Sequence, residues 1–122
     1  MDSLSLPMHL AQFADWEYGE IATGAKIQVT KCGCISLKTG ASGETNTLAD
    51  PSRAGIWLSI TLYSDGGGDR VITAASAVNQ TGNNTLTFGD DGDTIFLQSV
   101  RYSSTAFRWR VVANDGVSLS TV

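Results

Sequence analysis

The sequence predicts an all-β fold: an antiparallel β-sandwich, jelly-roll-like, forming a single domain over residues 25–122, with residues 1–24 set apart as an N-terminal arm or short helix. Three observations carry that prediction. Apolar and polar residues alternate in short runs, the period-2 pattern of a half-buried strand. Clusters of Gly, Asp and Asn punctuate those runs, as tight turns require. No helical pattern of about 10–15 residues lies between the runs, so the helices that usually connect parallel strands are missing. A chain of 122 residues is one domain in size.

Residues 1–24 hold His9, Phe13, Trp16 and Tyr18 together with Asp2, Asp15, Glu17 and Glu20, and no Lys or Arg. Pro7 suits the first turn of a short helix running to about Ala14. An extended arm lying on another surface fits the same residues, as does a strand closing the domain's own core. Residues 26–30 alternate, with Ile27 and Val29 on one face. Residues 39–53 read as one long polar connection, a length often reserved for function. The clearest strand spans residues 55–63, where Ile56, Leu58, Ile60 and Leu62 oppose Trp57, Ser59, Thr61 and Tyr63.

A turn at residues 65–69 then leads into a short strand at 70–74, and another follows at 84–88. Asp90-Asp91-Gly92-Asp93 is a second turn signal. Residues 94–102 and 105–113 form a hairpin through Ser103-Ser104. In its second strand Phe107, Trp109 and Val111 share a face opposite Arg108, Arg110 and Val112. Asn114-Asp115-Gly116 turns into a last short strand at 117–119.

Composition excludes several functions. Charged residues make up 16% of the chain, while Ser, Thr and Gly number 13 each, so the polar surface is hydroxyl and amide rather than ionic. The net charge of −4 argues against electrostatic binding to nucleic acid or to an anionic membrane. No apolar run is long enough to span a bilayer, and no signal-peptide pattern is visible.

Chemistry-bearing residues are few. Cys32 and Cys34 project to one side of a strand, but two thiolates and a single histidine fall short of the usual four zinc ligands. They read as reduced thiols beside a glycine bulge. Asp90, Asp91 and Asp93, with Asp65 and Asp69, offer oxygen ligands for calcium, yet Asp-Gly pairs also serve turns for conformational reasons. No nucleophile elbow, catalytic triad or phosphate-binding loop appears. The expectation is a protein without cofactor or catalytic residues. Trp57 with Tyr63, or Trp109 with Phe107, would suit stacking on a sugar ring if either set faces solvent.

The strings Asp69-Arg70-Val71-Ile72-Thr73, Gly82-Asn83-Asn84-Thr85-Leu86-Thr87-Phe88, Gly92-Asp93-Thr94-Ile95-Phe96-Leu97 and Arg108-Trp109-Arg110-Val111-Val112, with Asn114-Asp115-Gly116-Val117, resemble a small β module of tailed-phage and prophage virion proteins. The likeness covers the last two-fifths of the chain and carries no catalytic residues. With its aromatic N-terminal segment, the chain is similar in plan to phage head decoration, or cement, proteins. The resemblance implies a homotrimer on the capsid exterior, assembled in the bacterial cytoplasm, with the major capsid protein as partner. On that reading Leu6, Met8, Phe13, Trp16 and Tyr18 make the capsid contact. The alternative it leaves open is a fibre or baseplate adhesion module that binds host surface glycan.

Overall fold

The computed structural model describes residues 17–122. Ten strands follow in chain order: β1 (Glu17–Glu20), β2 (Lys26–Ile27), β3 (Gly33–Lys38), β4 (Glu44–Leu48), β5 (Trp57–Ser64), β6 (Arg70–Ala74), β7 (Thr85–Phe88), β8 (Thr94–Arg101), β9 (Phe107–Asp115) and β10 (Ser118–Ser120). They form two five-stranded sheets, β1-β3-β5-β8-β9 and β10-β7-β6-β4-β2. There is no helix among the described residues. The expected all-β sandwich is present.

The strand directions differ from the antiparallel, jelly-roll-like expectation. β1, β3 and β5 are parallel neighbours in one sheet, as are β2, β4 and β6 in the other. The remaining four pairings are antiparallel. Parallel neighbours need a crossover, and the sequence offered no helix for it. The crossover is instead a strand of the opposite sheet: β4 carries the chain from β3 to β5, and β5 carries it from β4 to β6. Both sheets are therefore mixed.

Pattern and burial agree where a strand has one apolar face. Ile56, Leu58, Ile60 and Leu62 are all fully buried, and Ile95, Leu97 and Trp109 meet them from β8 and β9. Ile72, Leu86, Phe88 and Leu48 supply the facing layer from the second sheet. Burying such side chains stabilises by about 1.5–3 kcal/mol each, which makes this contiguous layer the main source of cohesion.

Residues 39–53 are not one loop, because β4 runs through them. Its sequence Glu-Thr-Asn-Thr-Leu hides the strand, since the inward position between two threonines is Asn46, 4% exposed. Asn46 is tolerated there because its amide donates to the Ala22 and Ala25 carbonyls and its oxygen accepts from Arg70. The two cysteines also part company. Cys32 lies in the bend before β3, where strand alternation does not apply, and is buried; Cys34 lies on the outward face of β3. Both are free thiols; β3 pairs regularly with β5 from Gly33 to Leu37, and the register shift beside Cys34 lies in β1, between Glu17 and Gly19, rather than at Gly33.

Candidate functional site

Opposed strand directions place the loops at two ends of the sandwich. One end gathers residues 21–25, 39–43, 65–69, 89–93 and 115–117, tied by bonds such as Gly68 N–H to Gly40 O and Leu62 N–H to Asp93 O. The other gathers residues 28–32, 49–56, 75–84 and 102–106. Charge follows this division. Glu20, Glu44, Asp65, Asp69, Asp90, Asp91, Asp93 and Asp115 sit at the first end with Lys38 and Arg70. Lys26, Lys31, Arg53, Arg101, Arg108 and Arg110 occupy the second half, together with the acids Asp50 and Glu17, the latter opposite Cys34 near the start of β3.

At the acidic end several carboxylates serve the backbone. Asp65 Oδ1 accepts from Gly67 N–H at 2.9 Å, Asp91 Oδ1 from Asp65 N–H at 2.6 Å, and Asp93 Oδ2 from Gly89 and Asp90 N–H at 2.9 and 3.0 Å. Side-chain oxygens that cap their own turn are the reason Asp favours such positions. No three potential metal-ligating side chains converge among the described residues.

The basic end is built around the β8–β9 hairpin. Arg101 pairs across the ladder with Phe107, and its guanidinium lies 4.8 Å from that ring's centroid while Nη1 donates to the Ser104 carbonyl at 3.1 Å. Arg108 lies 3.3 Å from the centroid of Tyr102. The turn is held by Tyr102 N–H to Ala106 O and by Ser103 Oγ, which accepts from Thr105 and Ala106 N–H. Arg110 reaches the Ala77 and Asn79 carbonyls and ties the 75–84 loop to β9, and Arg53 donates to Thr30 O. Among the described residues none of these four arginines is paired with a carboxylate. The cations are fixed by ring faces and carbonyls, so their charge is positioned and uncompensated. Tyr102 is 53% exposed beside them. Arg and Tyr packed in this way are the residue types that dominate binding energy at protein interfaces.

Between the sheets at the acidic end lies Arg70, 2% exposed. Its Nη1 donates to Ile21 O and Asn46 Oδ1 at 2.9 and 2.7 Å, and its Nη2 to Lys38 O and Glu44 Oε1, both at 2.7 Å. It borders an open pocket of about 430 Å³ with Glu20, Thr23, Lys38, Thr39 and Glu44. The guanidinium spends four bonds on the protein's own acceptors, so this recess is first of all a structural joint.

Of the residues singled out for capsid contact, Leu6, Met8, Phe13 and Trp16 lie outside the described residues. Tyr18 is described: it is half-buried in β1, packs on the core, donates its hydroxyl to Lys31 O at 2.6 Å and accepts from Lys31 N–H at 2.9 Å. Of the proposed arm, residues 17–24 enter the sandwich as β1 and the bend after it. Trp109 is core, with Nε1 donating to Ala49 O at 2.9 Å, whereas Trp57 and Tyr63 lie on the outward face of β5. There Trp57 meets Phe96 at 5.5 Å between centroids, and Tyr63 donates its hydroxyl to the Glu20 carboxylate.

Comparison with protein-family models, curated proteins and solved structures finds no match. The hairpin cluster is a candidate feature that the sequence reading does not single out. Its signal was present: Arg101, Arg108 and Arg110 fall within ten residues of a chain that has eight bases in all.

Proposed function

We propose that this chain is a non-enzymatic structural protein of a virion, a head decoration protein that binds the outer surface of a phage capsid and stabilises it. The resemblance of residues 69–120 to phage β modules supplies the context. One observation of the structure supports it most: the sandwich carries its bases and its acids at different ends, with fixed arginines and aromatic rings at the basic one. A protein that must settle one way up on a protein surface benefits from such an arrangement, because complementary fields orient the encounter and disfavour the reversed pose. On this reading the major capsid protein is the partner, residues 1–16 with Leu6, Met8, Phe13 and Trp16 add a second contact, and three copies associate around a symmetry axis.

The experiment is occupancy on purified expanded heads. The full chain is expected to bind at a copy number approaching that of the major capsid protein. Deletion of residues 1–16, which stops short of β1 and spares the Tyr18–Lys31 bond, is expected to reduce occupancy. Absence of binding by the full chain removes the proposal.

A second reading has its own observation. Trp57 and Phe96 form an aromatic pair on the outward face of the first sheet, with Tyr63 further along β5 on the same face, the kind of surface that stacks on sugar rings. A glycan-binding adhesin would occur in few copies per virion and would lose glycan binding on Trp57→Ala with the fold intact.

A further inference from the structure

The two ends of the domain are complementary to each other, and this leads beyond the capsid contact. We infer that the Arg101–Tyr102–Phe107–Arg108 tip docks onto the acidic end of a second copy of this chain, joining copies head to tail. The tip has the character of an interface without an internal partner. Arg101 and Arg108 lie over rings and make no ion pair among the described residues, so their charge is available. Both side chains are already immobilised, by ring stacking and, for Arg101, by turn carbonyls, which lowers the entropy lost on binding.

The occupant is argued from charge on the same molecule. The opposite end presents Asp69, Asp90, Asp91 and Asp115 as exposed acids, and no carboxylate among the described residues at that end except Glu44 is paired with a base. Carboxylates are the natural partners of arginine forks. Nucleic acid or another long polyanion fits less well, because the acidic end repels whatever extends past the tip. Contact between unlike surfaces is heterologous: it closes into a ring when the rotation between copies permits and otherwise extends as a chain. The tip is the same surface that supports the capsid reading, so the two contacts compete for it, and the test is read on the free chain without capsid.

Sedimentation velocity of the purified full chain tests it. In about 20 mM salt the weight-average mass should rise with concentration, and in about 500 mM salt the apparent association constant should fall at least tenfold, since screening weakens contacts between exposed charges. Two charge-reversed variants sharpen the result: Arg101→Glu/Arg108→Glu, and Asp69→Lys/Asp90→Lys/Asp115→Lys. Each alone should remain monomeric, while an equimolar mixture should associate, because the untouched acidic end of the first then meets the untouched basic end of the second. A monomer at every concentration in low salt overturns the inference. So does an association indifferent to salt, or one that either reversal leaves intact. Should a reversal disturb the hairpin, seen as a lost near-ultraviolet dichroism signal, the salt dependence of the unmodified chain still decides.

Discussion

Replacing Arg70 with Met tests the central joint of the fold. The guanidinium reaches four acceptors in three segments: residue 21 after β1, the end of β3, and both Glu44 and Asn46 of β4, while its own backbone belongs to β6. It therefore bolts the two sheets together. Met keeps the aliphatic volume but removes every donor. Two carbonyls and the Asn46 oxygen are then left in a buried region, and the Glu44 carboxylate, 22% exposed, loses its counter-charge. Breaking a buried pair by removing one partner costs about 3–5 kcal/mol. For a domain of this size the melting temperature should fall by roughly 12–20 °C, at about 4 °C per kcal/mol. Urea titration followed by tryptophan fluorescence should show a lower midpoint with an unchanged slope. Arg70→Met/Glu44→Gln should recover part of the loss, because the carboxylate without a counter-charge is then gone while Gly40 N–H keeps an acceptor. A loss under about 1 kcal/mol for Arg70→Met would refute the claim that this network holds the sheets together.

Gly68→Ala should cost more than about 2 kcal/mol, since a Cβ there runs into the Ser42 carbonyl, whereas Gly43→Ala, with its nearest neighbour at 3.9 Å, should fold normally by the same melting assay. Trp109→Phe should lose about 1–2 kcal/mol with the bond to Ala49 O, and Trp109→Ala about 3–5 kcal/mol with the core volume; equal losses in urea titration would contradict the packing described here. The Tyr63 hydroxyl should ionise above the usual 10.0, first because it donates to the Glu20 carboxylate, then because of desolvation, then because of that group's charge. A raised value means its stabilising effect is complete below the ordinary phenol range and fades as pH rises through Tyr63's own ionisation. Absorbance titration should show this high ionisation move down in Glu20→Gln, and an unmoved curve would count against the contact.

What was legible in the sequence were the strands with one apolar face. Ile56, Leu58, Ile60 and Leu62 announce β5, and residues 70–74 and the 94–113 hairpin fall where alternation and turn residues place them. What was not legible depends on contacts between distant residues. β4 is invisible because its inward residue is an asparagine, and asparagine is acceptable there only because Arg70, 24 positions on, reaches it. The strand directions are not legible for a related reason. Alternation reports which residues face inward but not which neighbour a strand pairs with, and the usual helical crossover is replaced by a strand of the other sheet. The candidate site follows the same rule. Each arginine and each acid stands in the sequence, but their separation to two ends emerges only when the strand order is known.

The shuttling of the chain between sheets has a consequence for how it is made. Gly33 pairs with Leu58, and Glu44 with Arg70, so these two parallel ladders wait on residues some 25 positions further along. Closing such ladders requires ordering the intervening strand as well, which places the fold among slow, non-local topologies. A chain leaving the ribosome has no complete pair of β3 and β5 until residue 64 has emerged. A cut within residues 49–56 separates β3 from β5 and β4 from β6 at once, so neither of these ladders survives in the pieces. Synthesis and proteolysis should therefore both meet the β3–β5 and β4–β6 ladders as one unit, formed together or lost together.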